Sequence, residues 1–317
     1  MAGSYPRFTL LLQSSGSIVV AHEALSRLTP DIFIDTMGYA FSTWYCKFLF
    51  PNIAVGSYVH YPFIGTHMVD SLGSTSAQGV NAGKGRGLRG IAKKAYWHSL
   101  LQLYTWTGTA IDSIMTNSSW TQGHMRRIWG PRRAAKNQRP LKVVYPPCSV
   151  KEIVDKVPLE GKNSIERERI LLCIAQFRPE KDHEILIESF AKMVRSGDDK
   201  FQDARLVLIG SVRDSDDETL VYKLRLLAKE LKVDEAVEFR INIAWEEILE
   251  WLKRASVGVN GMWCEHFGIG VVEYQAAGLI CVVNNSGGPK EDIVVEYDGG
   301  PTGMFLSPPE GWLTECP

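Results

Sequence analysis

The stretch VGVNGMWCEHFGIGVVEYQAAGLICVVN, residues 257–284, carries the pattern that decides the fold. It begins with a short apolar run over 257–260, continues through a loop into a helical pattern over 268–277, and ends with a second apolar run over 280–284. Short apolar runs on either side of a helix are typical of a βαβ unit whose parallel strands are buried. The stretch therefore predicts a parallel sheet covered by helices.

The same alternation extends back through the second half of the chain. Apolar, β-branched runs predict strands over 170–175, 204–210 and 236–241, and the segments between and after them predict helices over 182–196, 217–231 and 244–255. This order predicts an α/β domain with helices on both faces of its sheet. A ligand of such a sheet binds beyond the carboxyl ends of the strands, so the candidate functional residues are those that follow strands.

The first half is less regular but follows the same principles. It predicts strands over 31–35, 53–59 and 111–115, a helix over 91–109, a helix start at 117–119, a mobile glycine-rich loop over 73–90 and a stiff connector over 143–147. A chain of 317 residues is long enough for two domains. We predict a first domain over 1–150 and a second over 151–317.

Charge is distributed unevenly between these halves. Residues 1–150 contain 15 Lys and Arg against 5 Asp and Glu, whereas residues 151–317 contain 20 against 31. A basic half suggests an anionic partner, such as a membrane surface, a phosphorylated lipid or a nucleic acid. The alternative is solvated surface charge without a partner.

Several classes of protein are disfavoured by what the sequence lacks. The start of the chain has no signal-peptide pattern, and no run of about 18 uncharged apolar residues predicts a membrane span. None of the six cysteines stands at CxxC spacing, which argues against a zinc site. No Asp-x-Asp pair follows a predicted strand, so the sequence predicts no metal for a diphosphate.

Two glutamates separated by seven residues mark the strongest candidate site. Glu265 falls in a loop after a predicted strand, Glu273 falls on the following helix, and the segment FGIG, residues 267–270, lies at the helix start. Unpaired N–H groups and the positive end of the helix dipole suit a phosphate there, and carboxylates accept hydrogen bonds from sugar hydroxyls. The pattern predicts a site for a phosphorylated sugar, and the alternative is an ordinary capped helix start.

Two further loops follow predicted strands. Arg178 and Lys181, in QFRPEK, come after the first strand of the second half, where two cations can hold a diphosphate. The segment SGGPKE, residues 286–291, is a weaker candidate because Gly-Gly-Pro is also an ordinary turn. His60 follows the predicted strand that ends at Val59 and is a candidate for substrate binding, although a lone histidine is often structural.

These motifs occur in a series that resembles a known family. The series comprises GYAF (38–41), GSYVHYP (56–62), NSSW (117–120), VYPPC (144–148), QFRPEK (176–181) and WCEHFGIGVVE (263–273). It is similar to the family 4 retaining glycosyltransferases, and most of all to the eukaryotic GDP-mannose-dependent α-1,2-mannosyltransferases of asparagine-linked glycosylation. The resemblance extends roughly from Tyr5 to Phe305. It implies the GT-B fold, in which two Rossmann-like domains face a cleft.

The resemblance also implies roles for individual residues. Arg178 and Lys181 would bind the GDP diphosphate, and Glu273 would hold the ribose hydroxyls. The catalytic candidates are Glu265, which would contact the mannose hydroxyls, and His60, which would face the sugar and the acceptor. Backbone amides of the donor site would come from Phe267, Gly268 and Ile269.

The implied substrates are GDP-mannose and a dolichol-diphosphate-linked oligosaccharide. The implied location is the cytosolic face of the endoplasmic reticulum membrane, with no nucleic-acid partner, and a complex with other N-glycan mannosyltransferases is left open. Enzymes of this family retain the anomeric configuration and need no metal or other cofactor. A front-face mechanism, in which the leaving phosphate helps to take the acceptor proton, fits the lack of a clear general base.

The sequence also departs from the family pattern. It lacks the family's N-terminal anchor, first strand and glycine-rich loop, which predicts an incomplete N-terminal domain, and the tail over 308–317 does not match the family. A second hypothesis for the function is therefore a truncated, catalytically silent chain that binds nucleotide or partner glycosyltransferases. The third hypothesis is a basic nucleic-acid-binding protein, and the fourth is a related transferase that uses a different nucleotide sugar.

Overall fold

The computed structural model describes residues 9–64, 87–158, 166–201 and 203–306. These residues divide into two compact units, of which unit 1 ends at Tyr145 and unit 2 begins at Pro146. The principal sheet of each unit is parallel throughout, with four strands in unit 1 and six in unit 2.

Unit 1 is a parallel sheet with helices. Its elements are α1 (Thr9–Arg27), β1 (Ile32–Asp35), α2 (Ala40–Leu49), β2 (Ala54–Val59), α3 (Gly87–Thr107), a short 3₁₀ helix (Gly108–Ala110), β3 (Ser113–Thr116), α4 (Ser119–Ala135) and β4 (Lys142–Val143). The strand order is β1-β2-β3-β4. Ser118 caps α4 because its hydroxyl accepts the N–H of Thr121 at 3.0 Å.

Large side chains from α3 and α4 build much of the core of unit 1. Tyr104 of α3 and Trp129 of α4 are both fully buried, and the indole N–H of Trp129 donates to the Tyr104 carbonyl at 2.8 Å. Gly108 lies beneath this pair, because a Cβ atom there would be 2.3 Å from Cγ of Trp129. The buried guanidinium of Arg133 donates to the carbonyl oxygens of Gly108, Ile111 and Arg139, which ties α4 to the loops beside it.

Unit 2 is a doubly wound α/β domain. Its elements are α5 (Val150–Lys156), β5 (Glu168–Ile174), a 3₁₀ turn (Pro179–Lys181), α6 (His183–Arg195), a 3₁₀ turn (Asp199–Phe201), β6 (Arg205–Gly210), α7 (Ser215–Glu230), β7 (Val237–Ile241), α8 (Trp245–Arg254), β8 (Ala255–Asn260), α9 (Ile269–Ala276), β9 (Ile280–Asn284), a π-helical turn (Pro289–Ile293), the hairpin β10 (Glu296–Tyr297) and β11 (Gly300–Pro301), and β12 (Met304–Leu306). The strand order of the main sheet is β12-β9-β8-β5-β6-β7.

The sheet of unit 2 is packed on both faces. One buried apolar cluster includes residues of β5, β6, α8 and α9, and a second includes other residues of β5 and β6 with α6 and α7. Gly258 of β8 leaves room for the ring of Tyr274, since a Cβ atom at position 258 would lie 2.3 Å from its Cγ atom. The Tyr274 hydroxyl accepts the N–H of Ile174 at 2.6 Å, which fixes α9 against the end of β5.

The predicted elements of the second half are confirmed, with every boundary within two residues of the structure. In the first half, α3 begins at Gly87, so the last four residues of the predicted loop over 73–90 are helical because the helical pattern continues through them. The rest of that loop up to residue 86, and the tail over 308–317, lie outside the described residues. The predicted connector over 143–147 begins with the last residue of β4.

Three helices were not predicted: α1, α2 and α5. Among the described residues, no helix combines the length and the apolar character that a bilayer crossing requires.

Candidate functional site

The candidate site lies at the carboxyl edge of the sheet of unit 2. Arg178 and Lys181 follow β5, Glu265 follows β8, and the segment over 286–288 follows β9. Strands β9, β8 and β5 are neighbours in the sheet, so parallel pairing brings all three loops to one edge. The structure thus places together the groups that sequence reasoning selected one by one, at the position where α/β sheets bind ligands.

Lys181 and Glu265 form an ion pair at this edge. The Lys181 Nζ atom lies 2.5 Å from Oε2 of Glu265, and the two side chains are only 22% and 14% exposed. Nζ also contacts the Met262 sulfur at 3.1 Å, while Oε1 of Glu265 accepts the N–H of His266 at 3.2 Å. Both oxygens of the carboxylate are therefore held in place from the protein side.

The loop that carries Glu265 is supported by the segment after β9. Gly288 donates its N–H to the Glu265 carbonyl at 2.8 Å, and Gly287 has a φ of +69°, a conformation that favours glycine. A Cβ atom at position 287 would lie 2.2 Å from the Glu265 carbonyl oxygen. The Ser286 hydroxyl accepts the N–H of Cys264 at 2.8 Å. The Gly-Gly-Pro segment, a weak signal in the sequence, is thus the backbone support of the Glu265 loop.

Helix α9 begins directly beyond this loop. Gly268 precedes the helix with a φ of +104°, and its carbonyl accepts the first helical N–H, from Val271, at 2.9 Å. The amides of Ile269 and Gly270 come before that bond, at the positive end of the helix. Phe267 packs its side chain into the core, and Ile269 is exposed. This helix start can offer backbone N–H groups to an anionic ligand.

Glu273 lies one turn into α9 and has no polar partner among the described residues. Its side chain is half-buried, and it forms no hydrogen bond or ion pair with any other residue that the structure describes. Burial raises the pKa of its carboxyl group above the usual value. A partly desolvated carboxylate without a partner beside a helix start is suited to accept hydroxyl hydrogen bonds from a ligand.

Arg178 also lies at this edge of the sheet. Its nearest charged partner is Glu180, 3.9 Å away, and its Nε atom is buried without a hydrogen-bond partner among the described residues. The Lys181 N–H donates to the Arg178 carbonyl at 3.0 Å, which closes the tight turn that carries both cations. The two cations therefore belong to one rigid turn.

A cavity beside this turn involves residues that sequence reasoning missed. It has a volume of about 400 Å³ and is lined by Gln176, Lys181, Ser211, Asn242 and apolar residues of β5, β6 and α8. Ser211 follows β6 and Asn242 follows β7, so the rule that ligands contact residues after strands could have found both. Asn242 has a φ of +55° and accepts the N–H of Val212 at 3.0 Å through its side chain.

His60 lies in unit 1, directly after β2. Its side chain is exposed, its ring meets that of Tyr58 edge-on with centroids 4.9 Å apart, and its carbonyl accepts the Thr121 hydroxyl at 3.2 Å. Asp35, the last residue of β1, is a second polar group at the carboxyl edge of this sheet and was not selected from the sequence. Burial raises its pKa, and one of its carboxylate oxygens is buried without a partner in the described structure.

No group of three or more metal-ligating side chains converges among the residues that the structure describes. The site of unit 2 instead combines two cations, two carboxylates, helix-start amides and a neighbouring cavity. This set can bind a diphosphate, neutralise its charge and orient hydroxyl groups beside it.

The fold and this site define the class of protein. The chain aligns with the crystal structure of Anabaena Alr3699/HepE in complex with UDP and glucose at a TM-score of 0.60 and 15% identity, over 93% of this chain and 68% of that one. Two α/β units with parallel sheets and a group 1 glycosyltransferase match over residues 158–311 place the chain among the GT-B glycosyltransferases.

Within that class the relationship is closer. Residues 1–129 match the family described as ALG11 mannosyltransferase N-terminus. A GDP-Man:Man(3)GlcNAc(2)-PP-Dol alpha-1,2-mannosyltransferase of Neurospora crassa is 54% identical over 97% of this chain and 57% of its own length. The mouse protein of the same name is 42% identical over 97% of this chain and 61% of its own. The chain belongs to this mannosyltransferase family and spans about three fifths of the length of these relatives.

Proposed function

We propose that the chain acts as a retaining glycosyltransferase that moves mannose from GDP-mannose to a dolichol-diphosphate-linked oligosaccharide in an α-1,2 linkage. The observation that carries this proposal is the meeting of Lys181 and Glu265 at 2.5 Å beside the start of α9. A cation for phosphate and a carboxylate for sugar hydroxyls stand next to each other, as the junction between a diphosphate and its sugar requires.

The roles of the other residues follow from their positions. Arg178 and Lys181 hold the diphosphate, and the amides of Gly268 and Ile269 add neutral donors to it. Glu273 accepts hydrogen bonds from the ribose, because its carboxylate is not engaged by the described part of the chain. The cavity lined by Ser211 and Asn242 takes the nucleotide base, since it adjoins the turn that carries Lys181.

In the reaction, the bond between the anomeric carbon and the phosphate oxygen breaks. A bond from the acceptor hydroxyl oxygen to the same carbon forms on the same face, and the hydroxyl proton passes to the leaving phosphate. Fixed cations lower the barrier because negative charge develops on that phosphate as it departs. Glu265 orients the sugar hydroxyls, and we assign to His60 a contact with the sugar and the acceptor. The proposed reaction needs no metal.

The proposal also covers the acceptor substrate and the place in the cell where the reaction occurs. The relatives are named for a lipid-linked acceptor, Man(3)GlcNAc(2)-PP-Dol. We assign the same class of acceptor to this chain, at the cytosolic face of the endoplasmic reticulum membrane. The basic composition of residues 1–150 supports a partner that carries a diphosphate at an anionic surface.

The test is elongation of a synthetic lipid-linked trimannosyl acceptor by the purified chain with GDP-mannose, in parallel with calorimetric binding of GDP. Glu265→Ala is expected to abolish elongation, whereas Glu247→Ala, an exposed glutamate at the start of α8, leaves it unchanged. UDP-glucose and GDP-glucose serve as competing donors. Elongation with another donor in preference to GDP-mannose refutes the donor assignment, and GDP binding without turnover supports a catalytically silent chain.

A further inference from the structure

Unit 1 presents an exposed aromatic patch, which we define as Trp44 and Phe48 of α2 with Leu103 and Trp106 of α3. The Trp44 ring stacks on Phe48 with centroids 5.6 Å apart and contacts Trp106 at 5.3 Å. Phe48 is 67% exposed and Trp106 is 43% exposed. Large aromatic side chains usually lie in the interior, so an exposed cluster of this kind marks an interaction surface.

The patch continues along the outer stripe of α3. The helical period places positions 91, 92, 95, 98, 99, 102, 103 and 106 on one face, and the sequence has no Lys, Arg, Asp or Glu at any of them. Ile91, near the start of this stripe, is also largely exposed. A solvent-facing helix normally carries charges on this face, so the stripe is suited to a partner that is apolar along its length.

Basic groups border this surface, and acidic groups are missing from it. Helices α3 and α4 contain seven Lys and Arg, of which Arg133 is fully buried, and no Asp or Glu. Lys93 and Lys94 lie on the two flanks of the stripe, and Arg132 of α4 contacts the stripe through Gln102, whose side-chain oxygen accepts its N–H at 3.3 Å. The charge complements an anionic surface and not a basic or neutral one.

We propose that the aromatic patch, the α3 stripe and its basic border dock on the surface of an anionic lipid bilayer. Tryptophan and phenylalanine enter the boundary between head groups and acyl chains, while lysine and arginine contact the lipid phosphates. The proposal uses the proposed function only for the lipid-linked acceptor, which lies in a bilayer. The evidence for the surface itself comes from the exposed side chains and the charge of unit 1.

The test is co-flotation of the 317-residue chain with vesicles of phosphatidylcholine alone or with about 30 mol% phosphatidylserine, at about 0.15 M and about 0.5 M salt. Phe48→Ser/Trp106→Ser is expected to weaken binding to both vesicles about tenfold or more. Lys94→Gln/Arg132→Gln is expected to weaken binding to the anionic vesicles about fivefold per residue at low salt only. Tyr222→Ser/Tyr297→Ser, which removes two exposed aromatics of unit 2, is the matched control and binds as the parent does.

A conservative variant guards against loss of folding. In vesicles with brominated acyl chains, tryptophan fluorescence of the parent is quenched, and Trp44→Phe/Trp106→Phe loses most of that quenching. A parent that does not float, or an aromatic variant that floats and is quenched as the parent is, overturns the proposal and leaves the patch to a protein partner. Calorimetric GDP binding in the same preparations reports on the donor site of unit 2, so failure of the proposed function is seen separately.

Discussion

The two sheets of this chain are parallel, but they are covered differently. In unit 2 the sheet has a buried apolar cluster on each face. In unit 1 the described residues place one main cluster against one face. On the other face Ile32 and Ile34 of β1 are 61% and 57% exposed, and a cavity of about 590 Å³ adjoins them. Parallel sheets are normally buried on both faces.

This difference indicates which kind of binding surface each unit provides. Unit 2 carries its candidate site on a framework that is packed from both sides. Unit 1 leaves apolar groups on its surface, on the open face of the sheet and in the aromatic patch. The first arrangement suits recognition of a small charged donor, and the second suits contact with a larger apolar partner.

The largest expected effects concern two glycines that lie beneath aromatic rings. Gly108→Ala in unit 1 and Gly258→Ala in unit 2 would each force a Cβ atom to within 2.3 Å of a ring carbon. Each substitution is expected to lower the free energy of unfolding by about 3 kcal/mol, which urea titration measures. Only Gly258→Ala is expected also to weaken GDP binding, because Tyr274 lies next to Glu273. Equal GDP affinities of the two variants would contradict this difference between the units.

Glu273→Gln comes next. Loss of the charged acceptor for two ribose hydroxyls is expected to weaken GDP binding about 100-fold in calorimetry. The stability of the unliganded chain near neutral pH is expected to stay the same or rise slightly, because burial raises the pKa of Glu273 and its ionisation therefore opposes folding. A structural role predicts the reverse, which is unchanged GDP affinity and a lower unfolding midpoint.

Low pH is expected to reduce the stability of unit 2 because His183 is buried. Burial, with a smaller contribution from the charge of Lys181, lowers the pKa of this histidine from 6.5 to about 4. Between about pH 6.5 and about pH 4, His183 is protonated in the unfolded chain but stays neutral in the folded chain. The free energy of unfolding is therefore highest above about pH 6.5 and falls as the pH decreases toward about 4. By about pH 5 the loss is about 2 kcal/mol.

Hydrogen exchange measures this loss separately in each unit. Amides of β5 and β6 are expected to lose protection between about pH 6.5 and about pH 5 beyond the intrinsic pH effect, relative to those of β2 and β3. His183→Leu removes the titrating group and is expected to abolish the difference. A difference that persists in His183→Leu assigns the acid sensitivity to another group.

The smallest effect tests the ion pair of the site. Lys181 is shared between Glu265 and an incoming diphosphate, so Glu265→Gln is expected to tighten the binding of GDP about fivefold while it lowers mannose transfer. Lys181→Gln is expected to weaken GDP binding. The matched change Glu250→Gln frees Lys253 of α8 from a comparable pair outside the site and leaves GDP affinity unchanged. Weaker GDP binding by Glu265→Gln would show that the pair supports the diphosphate site and does not compete with it.

The sequence was most informative where hydrophobic periodicity and position agreed. Strands β5 to β9 and helices α6 to α9 of unit 2 were predicted because each of these strands is a short apolar run bounded by polar or glycine residues. Helix α1 has the sequence TLLLQSSGSIVVAHEALSR, in which serine and glycine interrupt the apolar pattern, and α2 is rich in aromatic residues that also suit strands. Packing against neighbouring elements decides such segments, and a single sequence does not contain that information.

The candidate site was predictable in its residues but not in its contacts. Lys181 and Glu265 are 84 residues apart, and they meet because β5 and β8 are neighbours in the sheet, an order that the sequence pattern leaves open. Ser211 and Asn242 are small, neutral residues, so no charge pattern drew attention to them. The roles assigned to Arg178, Glu273 and His60 stay predictions.

The hydroxyl of Tyr274 has a mechanical consequence. It accepts the N–H of Ile174 at the end of β5, four residues before Arg178, while its own backbone adjoins Glu273. This bond connects the helix that carries Glu273, the proposed ribose ligand, to the strand that leads to Arg178 and Lys181, the proposed diphosphate ligands. A buried side chain thereby helps to fix the distance between the two anchor points, and with it the length of ligand that fits between them.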